Sequence, residues 1–167
     1  MKQKPTDITK KKINRPSKTI ATNKEGLFNY EIIEKYQAGL VLSGPEVKAA
    51  KLGQMSLKGS YVTIDNNSEV WLIKSYITPY KPAKSAQAKY DPGQKRKLLL
   101  HKEEISSLLG KSKQKGLTII PINVYTKRGL IKADIALARG KTKIDKRETI
   151  KKREASREIA RTLKQRV

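Results

Sequence analysis

The chain has 167 residues, enough for about one domain with extensions, and its 38 Lys+Arg against 15 Asp+Glu give a formal net charge of +23. It has no Cys and one His, which excludes disulfides, thiolate chemistry, thiolate zinc sites and any multi-histidine metal centre. No apolar run approaches the ~18 residues of a membrane span, and the N-terminal MKQKPTDITKKKINRPSK has no apolar core of the signal-peptide kind, so a soluble, intracellular protein with a nucleic-acid partner leads the classes that remain.

Residues 1–24 carry eight Lys/Arg and one Asp, too polar to bury a core, and read as a disordered basic arm. Tyr30 to Tyr36 reads as a strand of β-branched and aromatic residues. Gly39 bends it before Leu40-Val41-Leu42, and that bend places Tyr30 and Tyr36 on opposite faces. Ser43-Gly44-Pro45-Glu46 opens a short helix that stops near Leu52-Gly53: Ser43 or Gly44 caps it, Pro45 suits its first position, and Glu46 complements its dipole. Residues 60–64 and 69–73 form a hairpin around the turn Asp65-Asn66-Asn67-Ser68. Residues 79–95 are a long loop. His101-Lys102-Glu103-Glu104 opens a second helix, with Ile105, Leu108 and Leu109 on one face. Leu117 to Thr126 is a strand whose Pro121 marks it as an edge or a bulge. Lys127-Arg128-Gly129 is a turn. In the last strand Ala133, Ile135 and Leu137 alternate inward while Lys132 and Asp134 face out.

Six or seven short strands with short connections favour a mainly β fold: a small antiparallel, oligonucleotide-binding-like barrel with two or three short helices and disordered basic tails. The domain reading is a basic arm over residues 1–22, the barrel over 23–140 and a basic tail over 141–167. The junction is densest in charge: Arg139, Lys141, Lys143, Lys146 and Arg147 put five cations in nine residues. Beyond it Ala155, Ile159, Leu163 and Val167 make an apolar stripe too thin for a core helix. A helix there is marginal alone and forms fully on a polyanion.

Enzyme chemistry has little to use. His101 stands at a helix start, where a capping role suits it better than proton transfer. Glu103-Glu104 suits a helix dipole rather than a metal pair. Ser56 and Ser60 have no base partner, and no Gly-rich phosphate loop is present. No cofactor is implied. Cations beside aromatic or apolar groups are the material of RNA contact: Tyr30, Lys48 and Lys51 on one helix face, Arg96 and Lys97 before Leu98-Leu99-Leu100, Lys132, and Arg139.

Residues 30–48, YEIIEKYQAGLVLSGPEVK, resemble the SsrA-binding, small protein B family. So do Arg96 to Lys102, Ile135 to Lys141, and Asp145-Lys146-Arg147-Glu148. The strings are collinear from about residue 21 to 160. The resemblance implies a barrel that binds transfer-messenger RNA and delivers it to stalled ribosomes in trans-translation, in the cytoplasm, with elongation factor Tu joining through the charged RNA. It places RNA contacts at Asn23, Lys24, Gln37, Leu99 and Lys132. It places Lys141, Lys143, Asp145, Lys146 and Arg147 in a tail that enters the messenger channel and the decoding region of the small ribosomal subunit as a helix. This chain departs from the family pattern at Gln37, usually acidic, at Pro45, usually aromatic, at Ala49-Ala50-Lys51, usually Ser-Leu-Arg, and at Ile144, usually His or Tyr. Two rivals from other classes are a structural ribosomal protein with basic tails and a small RNA-processing enzyme.

Overall fold

The computed structural model describes residues 18–83 and 85–165. Residues 1–17 of the expected arm and the last two of the tail lie outside them. Three strands of 11 residues carry the fold: β2 (Tyr30–Leu40), β8 (Leu117–Lys127) and β9 (Leu130–Gly140). β8 and β9 form one hairpin. Its turn is Arg128-Gly129, with φ of 53° and 84°, the left-handed pair that matches the natural twist of two antiparallel strands. Along β9 the alternation holds as read: Ile131, Ala133, Ile135 and Leu137 all enter the main core.

Four shorter strands complete the wall: β1 (Lys18–Thr22), β4 (Tyr61–Ile64), β5 (Val70–Ile73) and β7 (Arg96–Leu99). The sheet order is β1-β8-β4-β5-β7-β2-β9, and β9 also pairs with β8, so the sheet closes into an antiparallel barrel. Closure removes free strand edges. β4 meets β8 at Ile119, and β1 takes the same edge of β8 from Asn123 to Thr126. Residues 18–22, read as part of the disordered arm, are therefore paired into the barrel; Ile20 and Ala21 pack on the core, and that burial offsets the cost of ordering them. A two-residue ribbon of β3 (Met55–Ser56) and β6 (Tyr76–Ile77) lies apart from the main sheet.

Besides a slip in β1 at Ile20, two bulges shape the wall: the register of β2 slips at Ile33 and that of β8 at Ile122. An extra residue turns every later side chain to the opposite face. Tyr30 and Ile32 consequently pack outside the barrel, while Tyr36, Ala38 and Leu40 pack inside. The two tyrosines do stand on opposite faces, but the cause is the bulge at Ile33 rather than a bend at Gly39, which stays within the strand. Pro121 adjoins the second bulge, and β8 is no edge: it has neighbours on both sides.

The outward cluster of Ile120, Ile122, Ala136 and Ala138 is covered by α1 (Lys24–Asn29) through Leu27. Helix α1 was not legible in the sequence. It is six residues long and contains Gly26 and Phe28, poor helix formers, so the apolar patch beneath it selects the conformation. Helix α2 (Gly44–Lys51) begins as read, with the Ser43 amide donating to Glu46 Oε2 at 2.9 Å. Helix α3 (Lys102–Ser112) begins with the His101 amide donating to Glu104 Oε2 at 2.9 Å, so His101 stands at the cap. Helix α4 (Lys143–Gln165) follows β9 almost directly. The tail, read as a helix, is helical over these residues. No Gly or Pro interrupts residues 143–165, and its first turn is capped.

Candidate nucleic-acid interface

The outer face of β7–β2–β9–β8 gathers several of the sequence candidates. Gln37 and Asp134 are cross-strand partners, as are Gly39 and Lys132, Tyr125 and Lys132, and Gly39 and Leu99. Lys132 Nζ donates to Gln37 Oε1 at 3.4 Å, Gln37 Nε2 donates to the Tyr125 hydroxyl, and that hydroxyl donates to Asp134 Oδ1 at 3.0 Å. Burial, then the bond to Asp134, push the Tyr125 phenol above its ordinary value, so it remains a donor at neutral pH. The departure at Gln37 acquires a physical reason. Tyr125 gives its proton to Asp134, so position 37 must donate to Tyr125 while accepting from Lys132. An amide does both, and a carboxylate only accepts.

Leu99 is 55% exposed and lies over Gly39, whose added Cβ would stand 3.4 Å from that of Leu99. Glycine lets an exposed leucine lie flat against the strand beside Lys132, an apolar surface next to a cation. Lys24 is exposed at the start of α1, two residues beyond Thr22, which pairs with Asn123; Asn123 pairs with Asp134, and Asp134 with Gln37. At roughly 4.8 Å per strand that row spans about 14 Å, so Lys24 and Gln37 flank one surface.

Other candidates fall elsewhere. Asn23 is 3% exposed. Its side chain accepts from the Gly26 amide at 2.8 Å and donates to the Pro121 carbonyl at 2.9 Å. It caps α1 and ties that helix to β8, leaving the amide no free face for RNA. Arg96 is a correction. It was read as an exposed RNA contact, but it is 2% exposed, because its partner Leu72 is an inward position of β5. Its guanidinium lies 2.9 Å from Glu46 Oε1. It also donates to Ser75 O and Oγ, Gln94 O, Tyr90 Oη and Pro92 O at 2.9–3.1 Å. Every donor of the fork is used, and the long loop over 79–95 is fastened by it. Burial pushes the Glu46 carboxyl up; the Ser43 amide, Gln94 and the Arg96 guanidinium outweigh that and leave it below its ordinary value.

Lys97 is half-buried and ion-paired with Glu69, and its Nζ and that of Lys95 stand 5.9 and 4.5 Å from the Trp71 ring centroid. Lys48 and Lys51 are exposed on α2, with Lys48 Nζ 5.6 Å from the Tyr80 ring; α2 packs on β6. Tyr30 is half-buried under α1. Arg139 is exposed near the end of β9, among the tail cations. Tyr125, Asp134 and Trp71 were not singled out. The outward reading of Lys132 held the signal for the first two, since its neighbours along and across the hairpin share its face.

In the tail Lys143, Ile144, Asp145 and Arg147 are exposed, and Lys141 and Lys146 half-buried. Thr142 and Asp145 bond to each other: the Thr142 amide and hydroxyl donate to Asp145 Oδ2 at 2.9 and 2.7 Å, and the Asp145 amide donates to Thr142 Oγ1 at 3.3 Å. Among the described residues no group of three or more His, Cys, Asp or Glu gathers to hold a metal, and no helix is long and apolar enough to cross a membrane.

The chain is 52% identical over 147 residues to the SsrA-binding protein of Sulfurihydrogenibium sp., covering 88% of this chain and 95% of that one. It is 53% identical over 147 residues to the SsrA-binding protein of Persephonella marina, at the same coverage, and 47% identical over 155 residues to that of Trichodesmium erythraeum, covering 93% and 98%. It is also similar to a solved chain described as "tmRNA-SmpB: a journey to the center of the bacterial ribosome", with a TM-score of 0.60 and 42% identity over 77% of this chain and 92% of that one. The family model described as SmpB protein matches residues 20–165, and with these identities over most of its length the chain belongs to the SmpB family.

Proposed function

We propose that the chain is an RNA-binding adaptor that holds transfer-messenger RNA and delivers it to stalled ribosomes for trans-translation. The observation that carries the reading is the outer patch of Gln37, Lys132 and Leu99, supported by Tyr125 and flanked by Lys24, in a chain of this family. A cation and an amide beside a flat apolar surface suit the backbone and exposed bases of a folded RNA. Lys132 and Lys24 supply charge to phosphate, Gln37 supplies a donor or an acceptor, and Leu99 packs. Lys48, Lys51, Lys97 and Arg139 add general attraction to the polyanion. No step of this role requires catalysis.

The domain organisation proposed is an N-terminal arm, the barrel to Gly140, and a tail from Lys141. Helix α4 would run into the messenger channel of the ribosome, where Lys141, Lys143, Lys146 and Arg147 meet phosphate. Elongation factor Tu would join through the charged RNA, and the site of action would be the cytoplasm. The test is to identify the RNA that co-purifies with the full chain at moderate salt. Transfer-messenger RNA is expected, with its yield reduced severalfold by Lys132→Ala. Ribosomal RNA alone would replace this reading with that of a structural ribosomal protein, and cleavage of the bound RNA in a single-turnover incubation would replace it with that of a processing enzyme.

A further inference from the structure

An acidic residue in a cationic tail that meets phosphate is electrostatically out of place. Asp145 stands among Lys141, Lys143, Lys146 and Arg147, fully exposed, and a carboxylate facing an RNA wall would be repelled. Its geometry points inward along the chain instead. The Thr142 amide and hydroxyl both donate to Asp145 Oδ2, the Asp145 amide donates back to Thr142 Oγ1, and the Lys146 amide closes the first helical turn on Thr142 O at 3.1 Å. This is a reciprocal capping box, with Thr142 as the cap and Asp145 three residues on. The bond from the Thr142 hydroxyl, then that from its amide, hold the Asp145 carboxyl below its ordinary value, so it is charged at neutral pH.

A second observation fixes the direction of the helix. Gly140 is the last residue in register, opposite Tyr30, and the Lys141 amide donates to Asn29 O at the end of α1 at 2.8 Å. Only Lys141 and Thr142 separate the end of the ladder from the start of α4, and both are bonded. Ten residues into the helix, the Arg153 guanidinium lies 5.4 Å from the Phe28 ring centroid on α1. The chain leading into α4 is thus tied to the barrel at Gly140 and Lys141, and the helix again at Arg153.

We infer that Asp145 is a positioning residue: with Thr142 it fixes where α4 begins, and so where Lys146 and Arg147 stand relative to the barrel, rather than touching RNA itself. The inference rests on the function proposed above only for its consequence on ribosomes; its structural part is read independently. Losing one half of such a cap shifts the helix–coil ratio of the first turn by about fivefold.

The experiment uses the full chain with five changes: Asp145→Ala, Thr142→Val, both together, and the cap-preserving Asp145→Glu and Thr142→Ser. Three readouts are taken: backbone carbon chemical shifts of residues 143–149, tagging of stalled nascent chains on ribosomes, and affinity for transfer-messenger RNA. Asp145→Ala and Thr142→Val should lower the helical shifts of the first turn and reduce tagging to a similar, several-fold extent. The double change should be no worse than the poorer single one, because both break one unit. Asp145→Glu and Thr142→Ser should behave as the unchanged chain, and RNA affinity should stay within about twofold throughout, since residues 142–145 lie outside the patch. Loss of tagging with Asp145→Ala but not with Thr142→Val overturns the inference in favour of direct contact, as does loss with Asp145→Glu at full helicity. First-turn shifts unmoved by every change overturn it on structural grounds. Failure of the proposed function is separate, because it appears in the unchanged chain as an absence of tagging and of RNA binding.

Discussion

Replacing Arg96 by Met separates the staple from an RNA contact. The guanidinium sits 1% exposed against a Glu46 side chain 3% exposed. Removing it leaves the carboxylate in a buried site and strands the carbonyls of Ser75, Pro92 and Gln94. Breaking a buried pair from one side costs about 3–5 kcal/mol, because the remaining charge is uncompensated. The folded barrel over residues 18–140 has an unfolding entropy of roughly 260 cal/mol/K at ~2.1 cal/mol/K per residue, so a loss of about 4 kcal/mol lowers the melting temperature by about 15 °C. Thermal unfolding by circular dichroism measures this. RNA affinity, taken well below the transition, should change by less than about threefold. Adding Glu46→Leu should recover part of the loss, since an apolar pair of similar volume needs no compensation. The pH dependence has a definite sign. In the folded chain the Glu46 carboxyl is held below its ordinary value, so its stabilisation is complete above that ordinary value and is lost as pH falls through the folded one. Arg96→Met should therefore shrink the gap between stability at pH 7 and stability in acid. A melting temperature within about 2 °C of the unchanged chain, together with a tenfold loss of RNA affinity, would refute the staple and restore Arg96 as a contact.

Three further outcomes follow from the patch and the tail. Lys132→Ala and Leu99→Ala should each weaken RNA binding severalfold while changing stability by less than about 0.5 and 1 kcal/mol respectively, since neither side chain is in the core; urea unfolding checks the second clause, and a large stability loss would void the contact reading. Binding should be steep in salt: Lys24, Lys48, Lys51, Lys132 and Arg139 make no ion pair among the described residues, and neutralising about five phosphates gives a slope of log K against log salt of roughly −3.5 to −4.5. A flat titration would remove charge as the main term. Truncation after Gly140 takes away eleven of the 38 Lys+Arg but no strand, so the barrel should melt within a few degrees of the full chain and keep its RNA, while tagging on ribosomes fails; unimpaired tagging would detach α4 from that role.

What the sequence made legible was periodic or capped. The alternation of β9, the hairpin over residues 61–73, and the starts of α2 and α3 each have a local signal several residues long, and each was found. The elements missed owe their existence to partners. Strand β1 pairs with β8 across a separation of about a hundred residues, and β7 was hidden because Lys95-Arg96-Lys97 looked like a solvated basic strip. That strip explains the misplacement of Arg96. Three adjacent cations share one sequence signature, yet strand geometry sends alternate ones to opposite faces: Lys97 goes outward to Glu69, and Arg96 inward to Glu46. The sequence holds no sign of a buried carboxylate 50 positions away waiting for it. Asn23 was likewise chosen for a resemblance, and its burial follows from a carbonyl on β8 that only the fold supplies.

The proposed division between holding RNA at the patch and reaching into the ribosome with the tail maps onto one ladder. β2 and β9 pair from Gly39 opposite Lys132 to Tyr30 opposite Gly140. The patch lies at the first end and the root of α4 at the second. Eight residues of β9 at ~3.3 Å each put them roughly 26 Å apart, several Debye lengths at physiological salt. Cations at the two ends therefore neutralise different phosphates, with little mutual screening or repulsion. The intervening wall is clamped by α1 on its outer face and by Ile135 and Leu137 inside, so one end cannot shift without disturbing packing at the other. A flexible linker after Gly140 would allow the tail to fold back onto the RNA held at the patch, where eleven cations would compete for the same polyanion. A capped helix of 23 residues, about 35 Å long at 1.5 Å per residue and fastened at its first turn, cannot bend back on itself. Its cations stay available to a second surface, which is what an adaptor between two polyanions requires.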